Sequence, residues 1–307
     1  MKALVTGGAG FLGSHLVEKL LSHGFDVIVV DNLCTGSLSN LESVKSRITF
    51  FQEDVRYFMP RQKTDIVFHF ACPASPVQYQ KDPVFTIETS VLGTKTVLEY
   101  CKAHMSRLVF ASTSEVYGDP LEHPQKETYF GNVNTLGPRA CYDEGKRAAE
   151  TFCFIYNSLY KVPVTIVRIF NTYGPRMDPH DGRVVSNFIV QSLRGGDLTV
   201  YGDGSQTRSF CYVSDLIDGI IRIARHNTEF EVLNLGNDEE YSIIELAKTI
   251  LELTGCKNNI IHLPPQIDDP VRRKPDISKA RRLLDWHPKV DLRSGLASTI
   301  EYFRSLI

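Results

Sequence analysis

Tyr142 and Lys146 stand four residues apart, a spacing that puts a phenol and an ammonium on the same face of a helix, one turn from each other. Of the thirteen tyrosines in the chain, only this one is followed four residues later by a lysine. A phenol ordinarily titrates near ~10, and a neighbouring cation favours its ionised form, so the pair is suited to taking a proton from an alcohol near neutral pH. The run Ser112, Thr113, Ser114 and Glu115 ends an apolar stretch and adds hydroxyls and a carboxylate to the same chemistry. Gly7, Gly10 and Gly13 form a GxxGxxG turn directly after another apolar stretch. Such a turn lets backbone amides and a helix N-terminus approach a pyrophosphate closely. A second apolar run ends in Asp31, whose carboxylate suits a ribose 2'-hydroxyl and repels a 2'-phosphate, so the expected dinucleotide is NAD rather than NADP. Asp54, just past a third run, is expected toward the adenine end.

These residues need a frame that brings distant loops together. Apolar runs at Ala3 to Thr6, Val27 to Asp31, Ile48 to Phe51, Ile66 to Phe70, Leu108 to Ala111 and Val164 to Ile169 read as buried parallel strands. Segments of helical length and composition lie between them at Gly10 to Ser22, Val84 to His104 and Tyr142 to Leu159. The alternation predicts an α/β fold, a Rossmann-like doubly wound parallel sheet, with ligands at the carboxyl ends of the strands. After Pro175 the rhythm loosens into a helix near Val184 to Leu193, short strands near Leu198 and Val232, and helices near Ser242 to Leu253 and Leu292 to Leu306. The expected division is an NAD-binding domain over 1–175, with 208–226 folding back onto it, and a smaller C-terminal substrate-binding domain over 176–307.

With 307 residues, 42% of them hydrophobic and 23% charged, the chain is long and apolar enough for both units. A net charge of −2 gives no reason to expect nucleic acid or an anionic membrane as partner. Seven cysteines without paired spacing suit a reducing compartment, and with no Cys-x-x-Cys no metal is expected. Met1 to Thr6 runs straight into a strand and a glycine turn, leaving no room for a signal peptide, and no stretch is long and apolar enough to span a bilayer. The expectation is a cytoplasmic protein.

From TGGAGFLGSH at Thr6 to His15 through YDEGK at Tyr142 to Lys146, the chain resembles the extended short-chain dehydrogenase/reductase family. The segments STSEVYGDP (Ser112 to Pro120), GNVNTLGPRACYDEGKRAAE (Gly131 to Glu150), RIFNTYGPRM (Arg168 to Met177), DGRVVSNF (Asp181 to Phe188) and RKPDI (Arg273 to Ile277) look like the branch that decarboxylates UDP-glucuronate. The resemblance implies that Tyr142 takes the proton from the sugar's 4-hydroxyl while hydride leaves carbon 4 for NAD. The ketone so formed lies beta to the carboxylate on carbon 5, carbon dioxide departs, and hydride returns to give UDP-xylose with NAD regenerated.

Within that chemistry Thr113 would hold the 4-oxygen, while Ser114 and Glu115 would face carbons 5 and 6. Lys146 would assist Tyr142 and hold the nicotinamide ribose, and Arg273 would meet the sugar carboxylate. The implied cofactor contacts are Gly7, Gly10, Phe11, Leu12, Gly13, Asp31, Asn32, Thr35, Gly36, Asp54, Val55 and Ala71, with Tyr142 and Lys146. Those for the UDP moiety are Asn171, Val185, Tyr201 and Arg208, the last facing the diphosphate. Relatives of this kind pair two helices, here Val84 to His104 and Tyr142 to Leu159, into a homodimer.

Four other outcomes stay open at this level, of which a 4-epimerase fits less well because relatives of that class usually lack a glutamate where Glu115 stands. A nucleotide-sugar 4,6-dehydratase needs an acid where Ser114 stands, since relatives of that type commonly read Thr-Asp-Glu. An oxidative decarboxylase would stop at the 4-keto pentose and NADH. An idle NAD sensor would have no use for Thr113, Tyr142 and Lys146. Ser90, where many relatives have Asn, and Thr135, where decarboxylases often have Pro, depart from the pattern.

Overall fold

The computed structural model describes residues 1–265, 270 and 272–307. Six strands alternate with helices through the first half: β1 (Lys2–Thr6), β2 (Asp26–Val30), β3 (Ile48–Phe51), β4 (Ile66–His69), β5 (Arg107–Thr113) and β6 (Val164–Ile169). They pair in parallel in the order β6-β5-β4-β1-β2-β3. The fold class is therefore the α/β doubly wound sheet expected from the sequence. The strand expected near Val232 in the smaller unit lies elsewhere. It spans Phe230–Leu235 and adds to β6 as the seventh strand of the main sheet. A short strand is equally compatible with either unit on pattern alone; burial on both faces of a parallel sheet decides its place.

The alternation of side chains along each strand builds two cores, one per face. Ala3, Val5, Val27, Val29, Ile66, Phe68 and Val109 point to one face, packing with Leu16, Val17 and Leu20 of helix Phe11–Ser22 and with Leu216, Ile217 and Ile220 of helix Val213–Arg225. Leu4, Ile28, Val30, Val67, Leu108 and Phe110 point to the other, against helices Thr94–His104 and Ala140–Tyr160. The expected helix over 84–104 runs as Pro83–Glu88 and Thr94–His104 with a π-helical turn, Thr89–Gly93, between them. That turn presses Ser90 against helix Ala140–Tyr160, where a β-carbon on Gly145 would come 3.0 Å from the Ser90 β-carbon.

A third core belongs to the smaller layer. Val185, Phe188 and Ile189 of helix Val184–Leu193 meet Leu246 and Ile250 of helix Ile243–Thr254 and Leu296 and Phe303 of helix Leu292–Arg304. The chain after Pro175 supplies both layers: Val213 to Leu235 contributes a helix and a strand to the main sheet, whereas Thr207–Arg208 pairs with Tyr241–Ser242 and Arg272–Arg273 in a three-stranded sheet of its own. Two polar contacts join the layers near the glycine turn. The His15 ring meets the Pro175 carbonyl at 2.9 Å, and Arg176 donates to Glu18 at 2.7 Å.

Candidate active site

Strand order reverses between β4 and β1, and the cleft at this switch opens onto the carboxyl ends of both. A cavity of about 720 Å³ starts there and continues to the smaller layer. Its floor is backbone. Gly7 has φ +72°, and a β-carbon there would lie 2.7 Å from the Ala71 nitrogen; one on Gly13 would lie 2.0 Å from the Gly7 carbonyl oxygen. Only glycine lets the β1 turn, the β4 end and the first turn of helix Phe11–Ser22 converge this closely. The helix N-terminus faces the cavity without a side-chain cap, so its amides remain available to an anion.

Asp31 closes β2 with its carboxylate fixed by two backbone donors, Ala9 N–H at 2.9 Å and Leu33 N–H at 2.8 Å. Burial raises its pKa, and those two hydrogen bonds work against the rise. Asn32, Thr35 and Gly36 continue the rim, with Val55, Ala71, Phe11 and Leu12 as apolar wall. Asp54 lines the same end, but its carboxylate is engaged by Arg56, whose Nε lies 3.1 Å and 3.2 Å from the two oxygens. Burial pushes Asp54 up, yet Arg56 prevails and holds it below the usual range. An elongated, glycine-floored groove with a fixed acid at its far end suits a dinucleotide.

The reactive end lies where β5 stops. Thr113 caps the 3₁₀ turn Ser114–Tyr117 by accepting the Glu115 N–H at 3.2 Å, which fixes Ser114 and Glu115 in succession. Gly118 follows at φ +64°, packed so tightly that a β-carbon would sit 1.9 Å from the Asn132 carbonyl oxygen. Helix Ala140–Tyr160 brings Tyr142 and Lys146 alongside. Tyr142 is 5% exposed, hydrogen-bonded to Thr113, and stacked on the Tyr79 ring at 5.1 Å with planes 3° apart. Lys146 donates to the Ala111 carbonyl at 2.8 Å and places its ammonium 5.9 Å from the Tyr142 ring centre.

Burial dominates both groups. It drives the Tyr142 phenol well above its ordinary range, with Cys72 adding to the rise and Thr113 opposing it. It lowers Lys146. Without a further positive charge in the cavity, then, the phenol stays protonated.

Glu115 has the most constrained environment. One nitrogen of Arg139 donates to both its oxygens at 2.7 Å, and Arg273 donates at 2.5 Å and 3.3 Å. Burial would raise this carboxyl, but Arg273 and Arg139 overcome it and hold it at about 2. Asp143 behaves in the opposite way: burial and the nearby Glu115 push it up to about 8, and one of its oxygens is buried without a partner. At neutral pH the cluster therefore carries two guanidinium charges against one carboxylate, a net positive charge at the cavity wall. Sequence reasoning found Arg273 and Glu115 but missed Arg139, Asp143 and Tyr79. Arg139 stands three residues before Tyr142, one helical turn away, and that spacing was the available signal.

Asn171, Val185, Tyr201 and Arg208, contributed by the end of β6 and by the smaller layer, line the same cavity, with Arg208 paired in register with Arg273. Arg208 is 5% exposed and donates to the Thr207 carbonyl at 2.8 Å. Every residue expected to act at the site thus lines one cavity. Ser90 stands behind Tyr142 rather than in the lining, with its hydroxyl 3.1 Å from the Cys72 sulfur.

Residues 3–236 match the model of the NAD dependent epimerase/dehydratase family. The chain is 51% identical over 310 residues to UDP-glucuronic acid decarboxylase 1 of Arabidopsis thaliana, covering 100% of this chain and 71% of that protein. Among solved structures it resembles UDP-glucose 4-epimerase from Thermotoga maritima with UDP-glucose, at TM-score 0.92 and 31% identity, covering 100% of this chain and 99% of that one. It also resembles UDP-glucuronic acid 4-epimerase from Bacillus cereus in complex with UDP-glucuronic acid and NAD, at TM-score 0.91, 32% identity and full coverage of both.

Proposed function

The chain belongs to the NAD dependent epimerase/dehydratase family, and on that footing we propose that it is an NAD-dependent enzyme that decarboxylates UDP-glucuronate to UDP-xylose through a 4-keto sugar, retaining its cofactor. Relatives at 51% identity over the whole chain carry the name UDP-glucuronic acid decarboxylase. The observation that carries the choice of reaction is the Glu115 cluster. Its surplus of positive charge suits a sugar whose carbon 6 is a carboxylate, and a carboxyl held at about 2 cannot donate the proton that dehydration of carbon 6 requires. Ser114 supplies no stronger acid.

The glycine floor, Asp31, Asn32, Thr35, Gly36, Asp54, Val55 and Ala71 would hold NAD, with Lys146 at the nicotinamide ribose. Bound NAD supplies the reversible oxidation at carbon 4. Tyr142, once ionised, accepts the proton of the 4-hydroxyl, and Thr113 steadies the same oxygen. When the carbon 5 to carbon 6 bond breaks, its electron pair moves into an enolate whose oxygen is the one beside Tyr142 and Thr113, both then able to donate to it. Arg273 meets the carboxylate before it leaves, and Ser114 and Glu115 line the face where carbon 5 regains a proton. Arg208 takes the diphosphate, with Asn171, Val185 and Tyr201 about the uridine.

We further propose a cytoplasmic homodimer. Val84, Ile87 and Leu92 on one helical segment and Phe154, Ile155 and Leu159 on the adjacent helix are exposed apolar side chains, and all seven cysteines are free thiols. No helix among the described residues is long and apolar enough to cross a membrane. Sedimentation of a monomer alone at assay concentration overturns the dimer.

The deciding assay is incubation with UDP-glucuronate and NAD, followed by mass spectrometry and by NADH absorbance. Loss of carbon dioxide without net NADH is expected. Net NADH equal to the carbon dioxide released identifies oxidative decarboxylation to the 4-keto pentose instead, and failure to consume UDP-glucuronate overturns the assignment.

A further inference from the structure

Glu115 is held by two arginines that reach it from different parts of the fold, and the two are held differently. Arg139 is the residue immediately before helix Ala140–Tyr160, so the element that sets Tyr142 also sets Arg139. Its contact to Glu115 is symmetric, 2.7 Å to each oxygen from a single nitrogen. Arg273 comes from the two-residue strand Arg272–Arg273 of the smaller layer. Its contact is lopsided, 2.5 Å and 3.3 Å, and its second nitrogen also reaches the Gly118 carbonyl at 3.3 Å. One guanidinium is thus centred on Glu115, and the other is shared between Glu115 and the Gly118 carbonyl.

We propose that Arg139 is a positioning residue that keeps Glu115 in place when Arg273 transfers its hydrogen bonds from Glu115 to the carboxylate of the substrate. In the free enzyme Glu115 stands in for that carboxylate on Arg273. When the sugar enters, a carboxylate replaces a carboxylate on Arg273, and Arg139 prevents Glu115 from following its lost partner or gaining a proton. When carbon dioxide leaves as a neutral molecule, with the bonding electron pair kept by carbon 5, Arg273 returns to Glu115. Through the exchange Arg273 keeps one carboxylate partner, which spares it the cost of a buried, unpaired guanidinium, and the substrate's negative charge passes to the enolate oxygen when carbon dioxide leaves. Arg139 touches neither sugar nor cofactor in this scheme; it acts through Glu115. The inference rests on the decarboxylase reading above.

The test compares R139Q, R139K and R273Q with the unaltered enzyme, measuring kcat and KM for UDP-glucuronate against pH and NAD affinity by quenching of protein fluorescence. R139Q should lose about 10²-fold in kcat, the scale of a misplaced catalytic group, with KM within a few-fold and NAD affinity unchanged. R273Q should show the reverse emphasis, chiefly a raised KM. Removing a cation raises the Glu115 pKa, and Glu115 acts ionised, so R139Q should also gain a second acid limb that steepens the profile where the unaltered enzyme shows the Tyr142 limb alone. The other groups facing Glu115 are Arg273, Asp143, Tyr142 and Tyr79; a D143N companion must leave that limb in place if Glu115 is its source. R139K should restore part of kcat and move the limb back. Unchanged kcat and pH profile in R139Q overturn the proposal, as does a KM rise in R139Q equal to that in R273Q. If R139Q fails to bind NAD, R139K decides: a raised KM together with lowered kcat and lowered NAD affinity marks a purely structural residue and also overturns it. An unaltered enzyme that does not consume UDP-glucuronate refutes the decarboxylase reading instead, so the two failures are distinguishable.

Discussion

Replacing Lys146 with Met keeps most of the side chain's length and removes its charge, which isolates the electrostatic part of its role. The ammonium lies 5.9 Å from the Tyr142 ring centre, and both side chains are buried. At an effective dielectric near 20, that separation corresponds to about 3 kcal/mol of attraction for a phenolate, or roughly two pH units. Under the proposed mechanism Tyr142 works only when ionised, so log kcat should rise with pH and level off above the pKa of the phenol in the loaded site. Lys146 lowers that pKa; its removal raises it. In K146M the limb should move about two units to higher pH, with a loss of roughly 10²-fold below the limb and convergence toward the unaltered enzyme above it. The measurement is kcat against pH at saturating NAD and UDP-glucuronate, with carbon dioxide release as the signal. A loss of the same factor at every pH would refute the reasoning, since it would assign Lys146 to holding the ribose rather than to charging the phenol.

Y142F preserves the stack on Tyr79 and removes only the phenolic oxygen, so turnover should decrease by about 10³-fold or more while an NAD titration matches the parent; undiminished turnover removes Tyr142 as the base. G13A places a β-carbon 2.0 Å from the Gly7 carbonyl oxygen, and the turn must open to admit it. NAD affinity should fall more than tenfold, the equivalent of only about 1.4 kcal/mol, and an unchanged titration contradicts the close-approach argument. Arg168 donates to both oxygens of Glu150 at 3.0 Å and 2.8 Å and to the Tyr117 hydroxyl at 3.0 Å, behind the site. R168M leaves Glu150 without its cation, with the Ser112 hydroxyl still donating to it, and should cost about 3 kcal/mol, seen as a Tm several degrees lower, whereas E150Q/R168M together should recover part of the loss; equal Tm values for R168M and the parent discount this pair as a support for β5 and β6.

The sheet was legible because its signals are local. Leu4 between Ala3 and Val5, or Ile28 between Val27 and Val29, carries in a few residues both the strand and the fact that each face is covered. The glycine turn and Asp31 were legible for the same reason: each must satisfy a constraint set by its immediate neighbours. Phe230–Leu235 was assigned to the wrong layer because its sequence says only that it is apolar; helix Val213–Arg225 crosses back over the sheet within the 208–226 segment expected to do so, and the strand that follows it stays there beside β6. The Glu115 cluster shows the same limit at the site itself. Its partners lie 24 and 158 residues away, and charge alone offered many candidate arginines. Arg273 was reached through resemblance to relatives, whereas Arg139 was passed over although it stands one turn from Tyr142. The difference is physical: a side chain that touches substrate leaves a motif around the chemistry, and one that acts by holding another side chain is recognised only when distances show which carboxylate it holds. Arg139 is therefore the residue that the sequence-level argument for decarboxylation lacked: Arg273 alone would be balanced by Glu115, and only the second arginine supplies the positive surplus that suits a substrate bringing a carboxylate of its own.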